Sequence, residues 1–217
     1  MRILLTGATG LVGQGVLHEC LASGEDTVTV LGRRPTARTH ALLDEVRVQD
    51  FGELGSVEAR LQPFDACFYC AGAAPIGTAE ADYRHVTVAL TTHVASTLAR
   101  LNPSMVFVYV SGAHADPGSR IMPLRIKGEA ERALAALPIR TVMLRPGGIQ
   151  PVNGERSPHA ALAALYGVAG PLMGLGVRLM PSLMTSTAHV GRAMLALARM
   201  PSPPAIVENA EINRLGA

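Results

Sequence analysis

An apolar strand that runs directly into closely spaced glycines opens the chain and most constrains its fold. The segment RILLTGATGLVGQGVL, residues 2–17, places three glycines at intervals of three between a strand pattern and an apolar helix pattern. Such glycines allow a tight turn, let the backbone approach a bound pyrophosphate and let the helix pack closely on the sheet. The helix N-terminus offers unpaired N–H groups to the phosphates, which favours a dinucleotide site over an ordinary strand–helix turn. We expect this site to include Gly7, Thr9, Gly10, Leu11, Val12 and Gly13.

Short apolar runs alternate with helical patterns along the first two thirds of the chain. Most runs are continuous rather than alternating in hydrophobicity, which is typical of strands that are covered on both faces. The segments between them can each form a helix with an apolar face. This alternation predicts an α/β protein with a doubly wound parallel sheet, the Rossmann fold. The predicted strands are 2–6, 27–31, 46–49, 65–70, 105–111 and 140–145.

The pattern changes after Arg145 to segments punctuated by proline and glycine, followed by a helix that begins at Ser186 or Thr187. The chain has 217 residues, a length compatible with one domain. We therefore expect a single domain in which residues 146–217 contribute a small substrate-side lobe. The stretch 160–177 has no charged residue, but glycines and a proline interrupt it. It therefore predicts a buried or surface-associated helix pair over a ligand pocket rather than a membrane span.

The charge balance argues against nucleic acid as a partner. A formal net charge of +2, with no block of like charge, leaves no basic excess for binding nucleic acid. Met1 leads straight into the first strand pattern, without the charged and apolar segments of a secretory signal. We therefore expect a cytoplasmic protein.

Three cysteines invite a metal or redox interpretation. Cys67 and Cys70 form a CxxC pair, but they lie in an apolar run where residues three apart on a strand face opposite sides. A zinc site of this kind requires a second pair of ligands. We interpret both residues, together with Cys20, as small core residues, and we predict no metal site.

The second predicted strand ends in two arginines. Arg33 follows Gly13 by twenty residues, Arg34 is next to it, and no acidic residue stands at the strand end. At about this distance, an Asp or Glu binds the ribose 2′-hydroxyl of NAD, whereas an Arg accommodates the 2′-phosphate of NADP. A guanidinium binds phosphate in a bidentate way, so NADP is favoured over NAD. The alternative is that both arginines are solvated loop residues.

Two further turns are expected to complete the cofactor site. Asp50 and Phe51 follow the third strand, where a side chain commonly meets the adenine. After the fourth strand, Ala71, Gly72 and Ala73 are small enough for the cofactor to pass close to the backbone. Both turns fit one cofactor that lies across the carboxyl ends of the strands at the switch point.

Several motifs together resemble the short-chain dehydrogenase/reductase superfamily. They are TGATGLVG, CAGA after the fourth strand, YVSGA after the fifth, the helix that contains Lys127, and LRPGGI after the sixth. Within the superfamily they are similar to the epimerase/dehydratase-like and NmrA-like branches, which use TGxxGxxG. The resemblance covers residues 1–150 closely, and VGRAMLALAR and VENAEI more loosely. It implies a Rossmann fold that binds NAD or NADP.

Lys127 is the only lysine among nineteen basic side chains. The resemblance implies that this lysine binds the nicotinamide ribose and lowers the pKa of a tyrosine four residues earlier. It also implies that Ser111 orients the substrate oxygen. Pro123 stands at the tyrosine position, and its side chain has no proton to give. The alternative for Lys127 is a solvated lysine that pairs with Glu131 at i+4.

Other groups could supply the proton in place of the tyrosine. His114 follows Ser111 by three residues, and histidine titrates in the neutral range that general catalysis requires. Tyr83 and His85 lie at the start of the helix after the fourth strand. Water would suffice for a conjugated acceptor such as a quinone or flavin. The candidate catalytic residues are Ser111, Lys127, His114 and Tyr83.

Two hypotheses of function follow from these residues. The first is an NADP(H)-dependent oxidoreductase or epimerase-like enzyme that acts on a small carbonyl, quinone or sugar-derived substrate. Its pocket would have Ser111 in the floor, and its roof would comprise the stretch 160–177 and the loop Pro146, Gly147, Gly148 and Ile149. The second is a non-catalytic NADP(H)-sensing protein of the NmrA kind, which the missing tyrosine favours. The apolar helices could form a homodimer face or close the core.

Overall fold

The computed structural model describes residues 1–155 and 176–217. The strands in these ranges are β1 Arg2–Thr6, β2 Thr27–Gly32, β3 Leu43–Arg47, β4 Ala66–Tyr69, β5 Val106–Val110, β6 Arg140–Arg145, β7 Gly148–Gln150, β8 Met184–Ser186 and β9 Ile206–Glu208. The longer helices are α1 Leu11–Ala22, α2 Glu80–Arg84, α3 Thr91–Leu101, α4 Met122–Ala135, α5 Thr187–Arg199 and α6 Asn209–Leu215. A 3₁₀ helix covers Gly55–Arg60, and a π-helical segment, His85–Leu90, joins α2 to α3.

Seven of the described strands form one parallel sheet in the order β3-β2-β1-β4-β5-β6-β9. The strand β1 pairs with β2 on one side and with β4 on the other. The chain therefore reverses its direction across the sheet between β1 and β4. This reversal is the switch point at which open α/β sheets bind ligands. The predicted doubly wound parallel sheet is confirmed.

Four strands differ from the sequence prediction: β3 is displaced, and the short strands β7, β8 and β9 were not predicted. The third strand was predicted at 46–49, but β3 spans Leu43–Arg47 and pairs with β2 from Leu43 onward. It lies at the edge of the sheet and much of it is exposed. An exposed strand does not need apolar residues along its whole length, so the apolar run in the sequence does not show where the strand begins and ends. The short strands were missed because three residues are too few to show a hydrophobic period.

The core has one layer on each face of the sheet. On one face, Leu5 packs with Val16 of α1 and Val190 of α5. On the other face, Leu4 packs in a cluster with Leu98 of α3. Neighbouring strand residues therefore enter opposite layers, as the alternation of a strand requires. Because both faces are covered, the strands are continuous apolar runs in the sequence.

The cysteines belong to these layers. Cys20 and Cys67 are fully buried, Cys70 is partly buried, and all three are free thiols. Cys67 packs on the face that bears α3, whereas Cys70 packs on the face that bears α1. Burial raises the pKa of Cys70 to about 12, which makes it an unreactive thiol. The described ranges contain no group of three His, Cys, Asp or Glu side chains that could hold a metal ion.

The region expected to form the substrate-side lobe divides between two places. The helix α5 packs in the main core, and β9 extends the sheet next to β6. The strands β7 and β8 form a separate parallel pair. The predicted cap of α5 is present, since Ser186 Oγ accepts a hydrogen bond from the His189 N–H at 3.1 Å. Only part of 146–217 is therefore available to cover a substrate.

The apolar stretch 160–177 was predicted to cover the pocket. Its residues 160–175 lie outside the described part of the chain. A short helical turn at 176–179 follows them. Within 1–155 and 176–217, we find no helix that combines the length and the apolar character needed to cross a bilayer.

Candidate active site

A cleft of about 200 Å³ lies at the carboxyl edge of the sheet, at the switch point. The residues that line it belong to the ends of β1, β2 and β4, to the turn after β3 and to the π-helical segment. Residues predicted for the cofactor that line it are Gly7, Thr9, Gly10, Arg33, Arg34, Asp50, Phe51, Ala71 and Gly72. The lining residues that were not predicted to contact the cofactor are Ala8, Val30, Gly32, Tyr69, Cys70, Val86 and Leu90.

The glycine turn between β1 and α1 is closely packed on its inner side. A Cβ at Gly13 would lie 2.1 Å from the Gly7 carbonyl oxygen, so only glycine fits there. Gly7 has a φ of +72°, and a Cβ on it would lie 2.5 Å from the Ala71 nitrogen. Gly10 caps α1 without a side-chain hydrogen bond, and the first helical turn has no acidic residue. The turn therefore leaves the helix N-terminus open to an anion, as a pyrophosphate requires.

The arginines at the end of β2 lie on the wall of the cleft. Arg33 and Arg34 are both exposed, and within the described ranges neither guanidinium has an ion pair or side-chain hydrogen bond. Other arginines of the described chain, such as Arg60 and Arg145, do have carboxylate partners. Two unpaired guanidinium groups in one wall favour an anionic ligand there.

The turn after β3 has two different contributions. Asp50 Oδ1 accepts a hydrogen bond from the Gly52 N–H at 2.8 Å and so stabilises its own turn. Phe51 is partly buried and packs against the core layer that contains α3. Opposite this turn, Val86 and Leu90 of the π-helical segment present apolar side chains to the cleft. π-Helical segments occur frequently at functional sites.

Lys127 lies on α4 near the carboxyl end of β5. Its Nζ donates hydrogen bonds to Tyr109 Oη and to the Val110 carbonyl oxygen, both at 3.0 Å, and lies 4.8 Å from the centre of the Tyr109 ring. Burial lowers the pKa of Lys127 to about 8, against the opposing effects of Glu131 and Cys70. Lys127 is therefore not a freely solvated lysine.

The Glu131 carboxylate has a different partner from the one considered for it. Arg145 donates from Nε to Glu131 Oε1 at 3.0 Å and from Nη2 to Oε2 at 2.6 Å. Arg145 also donates to Glu208, so β6, α4 and β9 meet in one ionic network that is buried at Glu131 and exposed at Glu208. The i+4 pair of Lys127 and Glu131 is not formed as a direct contact, because both Glu131 oxygens bind Arg145.

Ser111 follows β5 and is 7% exposed. Its N–H donates to the Leu144 carbonyl oxygen at 2.7 Å, whereas its Oγ has no hydrogen-bond partner among the described residues. A buried hydroxyl without a partner costs about 1–3 kcal/mol and usually signals a missing water, ion or ligand. This arrangement is compatible with the substrate-orienting role that the resemblance implies.

None of the four catalytic candidates, Ser111, Lys127, His114 and Tyr83, is among the described residues that line the cleft. His114 is exposed on the loop after β5 and has a φ of +60°. Tyr83 is 2% exposed, and burial raises its pKa, although a hydrogen bond with Thr87 acts in the opposite direction. All four catalytic roles stay predictions, as does every predicted cofactor contact; Leu11, Val12, Gly13, Ala73 and the loop after β6 are also absent from the described cleft lining.

That loop after β6 is held by asparagines. The Gly147 N–H donates to Asn209 Oδ1 at 2.8 Å, while Asn209 Nδ2 donates to the Pro181 and Met184 carbonyl oxygens at 2.8 and 2.9 Å. Asn213 donates to the same two carbonyl oxygens. Asn209 lies in the VENAEI segment, whose sequence does not predict this role.

The neighbouring loops complete the frame. A Cβ at Gly147 would lie 2.1 Å from the Leu183 carbonyl oxygen, and the Gly148 N–H donates to that same oxygen at 2.9 Å. The Ala113 N–H donates to the Pro146 carbonyl oxygen at 2.9 Å. The loops after β5 and β6 and the turn before β8 therefore form one hydrogen-bonded frame.

Residues 3–132 match the NAD dependent epimerase/dehydratase family. The chain belongs to this family. The match runs from β1 into α4, so it includes the glycine turn, both arginines of the cleft, Ser111 and Lys127. The resemblance to the short-chain dehydrogenase/reductase superfamily is confirmed.

Fungal relatives correct one expectation. "Protein fmp52-1, mitochondrial" of Aspergillus oryzae is 33% identical over 177 residues, which cover 77% of this chain and 74% of the relative. "Protein fmp52, mitochondrial" of Emericella nidulans is 31% identical over 174 residues, which cover 76% of this chain and 74% of the relative. The cytoplasmic location expected for this family member is contradicted, because the names of both relatives place them in mitochondria. The absence of a recognisable secretory signal, on which that expectation depended, does not distinguish the cytoplasm from an organelle.

Solved structures of epimerase/dehydratase type share the fold. MoeE5 in complex with UDP-glucuronic acid and NAD has a TM-score of 0.73 at 19% identity, with 96% of this chain and 76% of that chain covered. The UDP-glucuronic acid 4-epimerase of Bacillus cereus in complex with NAD has a TM-score of 0.71 at 14% identity, with 95% and 76% covered. At this identity the likeness establishes the fold alone. Both neighbours are described in complex with NAD, and the matched family is itself named as NAD dependent, so a nicotinamide cofactor is supported for the family, whereas a preference for NADP is not.

Proposed function

We propose that this chain is a nicotinamide-dependent oxidoreductase or epimerase-like enzyme that acts on a small carbonyl, quinone or sugar-derived substrate. The observation that carries the proposal is the cleft at the switch point, which an open glycine turn and two unpaired arginines line. Outside the cleft lining, the buried Ser111 hydroxyl has no partner among the described residues, and the Lys127 ammonium is anchored at the carboxyl end of β5, the strand that precedes Ser111. Family membership makes hydride chemistry the expected use of such a cleft.

The cofactor would lie along the carboxyl edge of the sheet. The glycine turn and the N-terminus of α1 would hold the pyrophosphate, and Asp50 and Phe51 would adjoin the adenine. Lys127 would contact the nicotinamide ribose. When bound, the nicotinamide would supply or accept the hydride.

We favour NADP(H) over NAD(H) for this chain. Arg33 and Arg34 line the cleft with free guanidinium groups, and a 2′-phosphate is the part of NADP that such groups bind. A carboxylate that would bind the 2′-hydroxyl of NAD is absent from the end of β2, where the sequence is Leu31-Gly32-Arg33-Arg34. Solved neighbours with NAD indicate the opposite choice, so direct comparison of the two cofactors is essential.

The substrate side would be formed by Ser111 and the asparagine-held frame. Ser111 Oγ would bind the substrate oxygen, since it has no other partner among the described residues. The Pro146 to Ile149 loop would cover the substrate from above. A sugar-derived substrate is one of the classes proposed because two solved neighbours are described with UDP-glucuronic acid as ligand or substrate.

A second candidate is a non-catalytic NADP(H) sensor. Pro123 favours it, because a proline in the first turn of α4 has no side-chain proton to transfer. The sensor would keep the glycine turn and the arginines, and it would bind the cofactor without turnover.

Binding and turnover measurements separate the candidates. We expect NADPH to bind at least about tenfold more tightly than NADH, the effect of one lost charge-assisted contact. We also expect NADPH absorbance to fall with at least one quinone, aldehyde or nucleotide sugar. Interconversion of UDP-glucuronic acid is followed separately by chromatography, because epimerisation causes no net oxidation. Tight NADPH binding with neither reaction would favour the sensor, and no binding of either cofactor would contradict both candidates.

A further inference from the structure

The proton source is the unsolved part of the site. Pro123 stands one residue inside α4, where a proline is tolerated because the first helical N–H groups have no intrahelical partner. Pro123 is therefore compatible with the helix, but it cannot donate a proton in the reaction. If the chain turns over a carbonyl substrate, another group must protonate the oxygen.

The Lys127 ammonium has one proton left for a ligand. Two of its three N–H groups are occupied by Tyr109 Oη and the Val110 carbonyl oxygen. No further acceptor contacts Nζ within the described part of the chain. The two acceptors belong to β5, and the strand leads directly into Ser111, whose hydroxyl is free. The free N–H and the free hydroxyl therefore lie at the same end of one strand.

The groups around Lys127 allow the ammonium to lose a proton. Cys70, which follows β4, and Glu131 of its own helix are the titratable groups that act on the lysine, whereas Tyr83, Tyr69 and Glu131 act on its hydroxyl partner Tyr109. The Glu131 charge is neutralised by Arg145, and burial raises the pKa of both Cys70 and Tyr109. The lysine is thus desolvated without a direct counter-ion, which lowers its pKa to about 8. Such a value suits a general acid at neutral pH.

Tyr109 is better suited to position than to react. Whereas Lys127 is partly exposed, Tyr109 is 1% exposed and its ring lies among the aromatic side chains of the core. Burial raises its pKa well above the ordinary value, so its hydroxyl retains its proton. Its oxygen and ring face both hold the ammonium.

We propose that Lys127 is the proton donor of the reaction, in the place of the missing tyrosine, and that Tyr109 is the residue that positions its ammonium. In carbonyl reduction, the carbonyl carbon receives the hydride that NADPH supplies, and the oxygen takes a proton from Lys127 Nζ. The products are an alcohol, NADP⁺ and a neutral amine, which water protonates again. In the reverse direction, the neutral amine accepts the alcohol proton. This inference rests on the proposed function.

The single lysine allows a direct measurement without a substrate. Protein labelled with ¹³C or ¹⁵N only at lysine gives one side-chain NMR signal, which must be that of Lys127. We expect this signal to titrate with a midpoint of about 8 in the intact protein. A midpoint near the ordinary lysine value, about 10.4, would overturn the inference whatever the activity. Added NADPH should perturb the same signal.

A pair of tyrosine variants tests the positioning role. Tyr109→Phe removes an acceptor for the charged form, so the NMR midpoint should move to lower pH. Tyr69→Phe is the matched control, since Tyr69 is also a buried strand tyrosine but makes no hydrogen bond to Lys127, and the midpoint should stay in place. An unchanged midpoint in Tyr109→Phe would contradict the positioning role.

Turnover separates the possible donors. Because the donor must be protonated, wild-type kcat with phenanthrenequinone or UDP-glucuronic acid should be constant below a pH of about 8 and fall above it. Lys127→Arg keeps the charge but cannot release a proton, so kcat should fall by about 10²-fold or more while NADPH binding persists. Tyr109→Phe should remain active, with the alkaline fall at lower pH.

The outcomes of these assays identify which proposal fails. Equal turnover in Lys127→Arg, or complete loss in Tyr109→Phe with normal lysine titration, would overturn the inference alone. Loss of turnover in His114→Asn, with activity retained in Lys127→Arg, would assign the proton to His114. An inactive wild type that still binds NADPH would instead contradict the proposed enzymatic function, and the lysine donor with it.

Discussion

The two ends of the proposed cofactor site are built in different ways. At the pyrophosphate and adenine end, backbone atoms of the glycine turn and the exposed Arg33 and Arg34 form the surface, and each lies in a short local motif. At the proposed nicotinamide end, Lys127 of α4 contacts β5, the Ser111 N–H contacts β6, and Asn209 of α6 holds the loop after β6. The pyrophosphate and adenine end is therefore recognisable from short stretches of sequence, whereas the nicotinamide end depends on how distant parts of the chain pack together.

This difference explains why the chemistry is harder to assign than the cofactor site. A glycine that packs against backbone atoms tolerates no substitution, so its role is visible in the residue type itself. A lysine can be solvated, paired or anchored, and its neighbours decide among these states. Lys127 meets Tyr109 rather than the considered Glu131, and this contact changes its expected role.

The largest expected effect tests the pyrophosphate and adenine end. Gly13→Val places a Cβ about where the Gly7 carbonyl oxygen lies, and both atoms belong to rigid backbone. We expect loss of NADPH binding and a fall of about 3 kcal/mol or more in the free energy of unfolding, measured by urea denaturation. Gly55→Ala is the control, since a Cβ at Gly55 would have no neighbour within 4 Å. Retained binding in Gly13→Val would mean that the turn does not contact the cofactor.

An intermediate effect tests the nicotinamide end. Asn209 is 2% exposed, and Asn209→Ala leaves the Gly147 N–H without its acceptor and weakens the hold on the Pro181 and Met184 carbonyls. We expect a loss of about 1–3 kcal/mol in the free energy of unfolding. The KM of an accepted substrate should rise more than the Kd of NADPH. Asn213→Ala should have a smaller effect, because Asn213 does not bind Gly147; equal effects would contradict a specific role of Asn209 in holding this loop.

The smallest expected effect is on cofactor affinity, and it tests whether the cleft prefers NADPH to NADH. Arg33→Ala removes one guanidinium from the wall of the cleft, so NADPH should bind about tenfold more weakly while NADH is unaffected. Fluorescence titration of both cofactors measures this difference. Arg132→Ala is the matched control, since Arg132 is an exposed arginine in the last turn of α4. If Arg33→Ala weakens both cofactors equally or neither, Arg33 does not select NADP.

Prediction from the sequence was correct where a residue type has a single structural role. The glycine turn, the doubly wound sheet and much of the cleft lining were predicted from spacing and hydrophobic runs, and the structure places them together. It failed where the signal was short or contextual. The three residues of β9, the π-helical segment and the asparagine-held frame have no periodic pattern of their own. The cytoplasmic expectation was wrong because it was inferred from the lack of a signal.

The sequence by itself determined the superfamily, the parallel sheet and the position of the glycine turn, because glycine spacing and apolar runs act through local geometry. It also determined that Pro123 cannot give a proton, since no environment supplies a proline side chain with one. Only the tertiary structure decided that Lys127 is anchored by Tyr109, that Ser111 is buried without a partner and that Asn209 holds the loop after β6. The physical reason is that burial and hydrogen bonding depend on residues distant in sequence, and these properties set the charge and reactivity of a polar side chain.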